Sequence, residues 1–287
     1  MTQITKNQIS PKLPFDFDSY IYNLSTESFY KNNCIKVLHG TGDRIVQSSP
    51  FVTALAARIL YGFRSHPMKN SILYAVGNYL KATMDDLGLI GFLDPNNHRF
   101  DLDTIACVHG IIHEFNPDDN ASMIPGIVEI MECHRDRKTG AFYTWIDKPK
   151  NNIDFIVNIN IGLFFEIIGH SDCRLINYLA ENYGKFLRAG SHYYHNIGFP
   201  LYMMSIYKRR LEEKDRRSSF QTVIENLLNH VLARNVLQGW IGSLNSSITD
   251  LANPHWPGIA CFNSRDGVYH SRILTDLALA ETSLLSS

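Results

Sequence analysis

Apolar residues recur at helical spacing along most of the chain, in blocks separated by turn signals. Ser48-Ser49-Pro50 shows the pattern of a helix start, with a capping serine and a proline at the first helical position. Phe51, Leu55, Ile59 and Phe63 then fall on one face. Read this way, the blocks predict helices over about 50–63, 70–84, 101–115, 121–133, 153–168, 173–187, 198–212, 217–235, 243–252 and 270–285. Strand-like alternation is scarce. Only Ala141 to Ile146 reads as a short extended piece. No strand–helix alternation and no G-x-G-x-x-G is present, so the expected fold is all-α. Helices of similar length in sequential pairs suggest antiparallel hairpins, stacked or closed into a toroid. Residues 1–12 read as a flexible polar tail and 13–287 as one domain.

Composition narrows the classes. The chain has 287 residues, 45% of them hydrophobic, which is ample for a buried core. Lys and Arg total 27 against 28 Asp and Glu, giving a formal charge of −1. That balance gives no electrostatic footprint for nucleic acid or an anionic membrane. Five cysteines, widely spaced and without a C-x-x-C pair, form neither a disulfide framework nor a zinc ribbon. The N-terminus lacks an apolar signal core, and the longest apolar stretch, near Ile153 to Ile168, is broken by Asn158, Asn160 and Glu166. A cytoplasmic protein is expected, with at most transient membrane contact. The 16 Phe and 14 Tyr fit either an aromatic core or an aromatic-lined cavity.

Chemistry concentrates in Asp101-Leu102-Asp103-Thr104-Ile105-Ala106. Asp101 is placed to cap a helix, and Asp103 falls in its first turn. The segment resembles the D-x-D-D-T-A motif of the squalene–hopene cyclase superfamily, the class II terpene cyclases. Asp103 matches the middle aspartate, the general acid of that family, and Asp101 the first. Thr104 replaces the third, which the related oxidosqualene cyclases also lack. Thr139-Gly140-Ala141-Phe142-Tyr143-Thr144-Trp145 resembles the Gly-aromatic-Trp turns of the superfamily's repeats. Asp154 to Asn160 resembles an inner-helix start, and Tyr269-His270-Ser271-Arg272 and Gln238-Gly239-Trp240 are shorter echoes. The resemblance implies an (α/α)6 barrel and a protonation-initiated cyclase acting on a linear isoprenoid or its diphosphate. Family members usually set the acid between two helical domains. This chain reads as one, so either the barrel mouth alone forms the pocket, or another subunit of a homo-oligomer completes it, or the chain no longer cyclises a substrate.

An alkene is a poor base, so its protonation needs a positioned carboxylic acid in a dry site. Two adjacent carboxylates tend to share a proton, which keeps one of them loaded. The cation that forms calls for aromatic faces. Tyr143, Trp145, Phe164, Phe199, Tyr202, Trp240 and Trp256 are candidates to line the substrate, with Asn158 as a polar contact. Arg272, near the last helix, is the candidate for a diphosphate, with Arg265, Arg137 and Lys138 as alternatives. His109 is a candidate proton relay to the acid. It also forms an i, i+4 pair with His113, but the intervening Gly-Ile-Ile lacks the glutamate of a zinc-protease helix. No metal or cofactor is expected, except magnesium carried by a diphosphate substrate. The D-D-x-x-D of ionisation-type synthases is missing after Asp85-Asp86 and after Asp118-Asp119. Two other readings stay open. One is a carbohydrate-active α/α barrel pairing Asp101 or Asp103 with Glu166 or Asp154. The other is a non-catalytic binding module on the same scaffold.

Overall fold

A computed structural model describes residues 36–39, 45–62, 69–92, 100–147, 151–194, 198–213, 260–264 and 267–270. Seven α-helices run through them: α1 (Pro50–Gly62), α2 (Lys69–Ala82), α3 (Leu102–Phe115), α4 (Ile124–Cys133), α5 (Phe155–Ile167), α6 (Cys173–Ala189) and α7 (Gly198–Glu213). A short 3-10 turn, Pro117–Asp119, follows α3. The helical periodicity places each of these within a few residues of its observed ends. The helices expected over 217–235 and 243–252, and the tail 1–12, lie outside the described residues.

The chain is not helical throughout. Strands β1 (Lys36–His39), β2 (Ile45–Ser48), β3 (Ala260–Ser264) and β4 (Gly267–His270) form one antiparallel sheet in the order β2-β1-β4-β3. Leu38 faces His270 in register, so the sheet joins two segments far apart in sequence. Expecting a helix from residue 270 therefore misplaces His270, which closes β4. These strands are only four or five residues long, too short for alternation to stand out from the sequence.

Helix α5 is the centre of the helical body. Every residue from Phe155 to Glu166 is buried. It packs against α3, α6 and α7. A helix apolar on all sides has nowhere else to go. Each buried Phe, Ile or Leu contributes on the order of 1.5–3 kcal/mol, as an upper bound. The α5–α7 crossing is close enough to require a glycine: a Cβ on Gly162 would stand 2.7 Å from the Tyr207 hydroxyl. Helix α3 is buried from Leu102 to Ile112 and packs on α1 as well as α5. None of the described helices is long and apolar enough to cross a membrane.

The Ala141–Ile146 piece is extended, as its alternation predicts. It bridges Arg135 with Phe142 and Asp101 with Trp145. Leu102 N–H donates to Thr144 O at 2.8 Å, and Ile146 N–H to Phe100 O at 3.1 Å. These bonds pin the start of α3 at a fixed point against the loop.

Candidate active site

The start of α3 is built by its first aspartate. Asp101 has extended backbone angles and accepts the Thr104 N–H at 2.7 Å, as an N-cap should. Thr104 Oγ1 also donates to it, at 2.9 Å. The residue standing where the resembling motif has a third acid thus holds the first one in place. Burial lifts the Asp101 carboxyl to about 6, against the pull of the Thr104 bonds.

Asp103 lies two residues on, 6% exposed. Each of its oxygens takes a donor. Asn160 Nδ2, from the middle of α5, donates to Oδ1 at 2.6 Å. Tyr194 OH, from the loop after α6, donates to Oδ2 at 2.7 Å. Asn160 Nδ2 also donates to the Tyr194 oxygen at 2.7 Å, so the three groups close a ring. The Phe51 ring, from α1, meets the Tyr194 ring edge-to-face. Burial pushes the Asp103 carboxyl up to about 8, and the Asp101 charge adds to the push. The bonds from Asn160 and Tyr194 favour the charged form and pull down, while Asp154 adds a smaller upward contribution. Desolvation wins, and the balance moves toward the neutral carboxylic acid. The Tyr194 hydroxyl and the Cys107 thiol are pushed up by the same burial.

These shifts make a stability statement. A carboxyl whose folded pKa is raised binds more protons in the folded than in the unfolded state between those two values. Unfolding free energy should therefore fall as pH rises from about 4 to 8, by a few kcal/mol in order of magnitude. Denaturant melts at pH 5 and pH 8 check this. A protein more stable at pH 8 would contradict it.

The other sequence candidates divide. Asn158 serves the backbone: its Oδ1 accepts Phe142 N–H at 2.8 Å, and its Nδ2 donates to Phe142 O at 3.0 Å and Asp154 O at 2.8 Å. Trp145 donates its indole N–H to Tyr193 OH at 2.8 Å, beside the loop that carries Tyr194. Phe164 is buried against Phe165 and near Gly110. Tyr143 is half-buried, with its hydroxyl toward Asp136. His109 does not reach the acid: its Nε2 lies 2.8 Å from Gly88 O, and burial holds the ring neutral. Six residues along α3 from Asp103, it points to a different face. Phe199 and Tyr202 fall within α7, while Trp240, Trp256, Arg265 and Arg272 lie outside the described residues. Arg137 and Lys138 are exposed. Of the acidic pairs, Asp85 accepts the Leu87 and Leu89 N–H groups in a turn, and Asp119 pairs with Lys81. Asp154, the alternative partner for Asp103 in sugar chemistry, already accepts four donors.

Two site residues carry little or no signal in the sequence. Asn160 stands out only as an amide in an apolar helix. Tyr194 sits 91 residues from Asp103, in a loop with no motif.

No protein-family model matches the chain, and no curated protein matches it. Among solved structures, a crystal structure of a protein from Actinoplanes is 14% identical with a TM-score of 0.43. That overlap covers 61% of this chain and spans 56% of the Actinoplanes chain.

Proposed function

We propose that this chain is a protonation-initiated, class II terpene cyclase on an (α/α)6 toroid, cytoplasmic, with Asp103 as its general acid. The observation that carries the reading is a buried carboxyl, gripped at both oxygens beside a second buried carboxyl, with burial pushing its pKa up to about 8. The acid's O–H bond breaks, its proton forms a C–H bond at a terminal alkene carbon of the isoprenoid, and a carbocation and an Asp103 carboxylate remain. Asn160 and Tyr194 are donors waiting for that carboxylate. Hydrogen bonds to an anion are roughly twice as strong as neutral ones, so they gain strength as the proton leaves. The aromatic faces of Trp145, Tyr143 and Phe164 are proposed to meet the cation. Cyclisation ends when a later cation loses a proton, which restores the balance. Magnesium would enter only with a diphosphate on the substrate.

The test is incubation with farnesyl diphosphate, geranylgeranyl diphosphate and squalene, with and without a chelator, followed by mass spectrometry of the extract. Cyclic products are expected in the chelated arm. No product from any isoprenoid overturns the reading in favour of a binding module. Tyr194→Phe should lower kcat by about 10²-fold, the scale for losing one preorganised donor to a developing charge. It should also move the basic limb of the pH–rate profile upward, because a bond favouring the carboxylate has gone.

A further inference from the structure

The Tyr194 loop has its own anchor. Asp154 caps α5 with one oxygen, Oδ1, which accepts the Ile156 and Val157 N–H groups at 2.8 and 3.3 Å. A cap needs no more than that. Its second oxygen, Oδ2, accepts Ser191 Oγ at 2.8 Å and His192 N–H at 2.7 Å. Ser191 Oγ in turn accepts the N–H groups of Tyr193 and Tyr194, each at 3.1 Å. Tyr194 then reaches Asp103. One carboxyl, 2% exposed, thus ties the head of the central helix to the loop that carries the acid's second donor.

We propose that Asp154 is a positioning residue for the acid, acting through Ser191 to hold Tyr194 on Asp103. The proposal deepens the cyclase reading and rests on it for its kinetic test. Ser191 to Tyr193 form neither helix nor strand, and Ser191 Oγ, held by Asp154, receives the Tyr194 N–H. Misplacement of a catalytic donor by about 1 Å can cost on the order of 10²-fold in rate. The titratable and charged groups around Asp103 are Asp101 and Cys107 on α3, Tyr194 on the loop and Asp154 at the head of α5, with Arg58 of α1 acting on Cys107.

Asp154→Ser separates the two jobs. Serine is a good N-cap, so α5 keeps its start, but its one hydroxyl cannot also hold the loop. The full chain bearing Asp154→Ser should melt near wild type, keep KM within about twofold and lose kcat by about as much as Tyr194→Phe does. The double variant should be no slower than Tyr194→Phe alone, because both changes remove the same bond. Multiplying effects, or a wild-type kcat in Asp154→Ser, overturns the proposal. A second measurement is independent of turnover. Carbon-13 NMR of the Asp103 carboxyl, assigned by its loss in Asp103→Asn, should show a higher titration midpoint in Ser191→Ala, which leaves the Asp154 charge in place, and in Tyr194→Phe. A midpoint moved by Tyr194→Phe but not by Ser191→Ala sinks the link through Ser191. Absence of any cyclic product from wild type would defeat the cyclase reading while the NMR comparison still decides the anchor.

Discussion

Asp103→Asn should reduce product formation by about 10⁴-fold, the upper end of what a positioned general acid supplies, and should leave the fold intact. Asparagine matches the shape of the neutral acid. Its Oδ1 can accept the Asn160 amide, and its Nδ2 can donate to Tyr194 OH once that hydroxyl turns, so both bonds to the site survive. What is lost is the transferable proton. The same substitution should reverse its usual sign on stability. Wild-type Asp103 is neutral when folded and ionised when unfolded across the range from about 4 to 8, and that mismatch costs a few kcal/mol in order of magnitude near pH 7. The variant has no carboxyl to titrate there. It should melt higher than wild type at pH 8 and similarly at pH 4, retaining only the shallower slope due to Asp101. An inactive variant that is also less stable at pH 8 would mean that Asp103 is a structural carboxylate, ionised in the fold. Differential scanning calorimetry at the two pH values, beside the product assay, separates these outcomes.

Local chemistry made half of this site legible and long-range geometry hid the rest. Asp101 and Asp103 could be found because an N-cap and its first turn are defined within four residues of sequence. The helices were equally local: each of the seven observed is a block of 3.6-residue periodicity ended by a turn. Asn158 and Asn160 looked alike, two amides in one apolar helix. Only the fold distinguishes them, since positions two apart on a helix point to different sides. One meets the Phe142 backbone and the other the acid. Tyr194 depends on where a loop after α6 returns, and no spacing rule encodes that. His109 failed for the same reason in reverse. An attractive residue type near the motif, it turns toward Gly88 instead. The sheet leaves no mark on the pattern because its strands are short and pair across more than 200 residues of sequence.

Arg135→Ala should destabilise the described helical body by about 3–5 kcal/mol, the cost of breaking a buried ion pair from one side. Arg135 is 8% exposed and uses its whole fork. Nε and Nη2 donate to Glu132 at 2.8 and 2.6 Å, Nη1 donates to Gly140 O at 2.6 Å, and Nη2 also bonds Asp172. The guanidinium lies 4.0 Å over the Phe142 ring. Each partner starts or ends something. Asp172 caps α6 through the Arg174 and Leu175 N–H groups. Gly140 holds a positive φ of 78°, and a Cβ there would meet Arg174 Cβ at 2.9 Å. Phe142 is gripped by Asn158 of α5. The arginine therefore joins the end of α4, the start of α6 and the extended piece that pins α3. Glu132 is half-exposed and can turn to water, but Asp172 is 8% exposed at its side chain and would be left buried without its cationic partner. At about 2–4 °C per kcal/mol for a chain of this size, the melting temperature should drop by about 10 °C. Arg135→Lys should recover only part of that, because an ammonium cannot fork onto Glu132 while reaching Gly140 and Asp172. A drop below about 1 kcal/mol for the alanine variant would show that water reaches this cluster and that the α4–α6 junction is held by apolar packing alone.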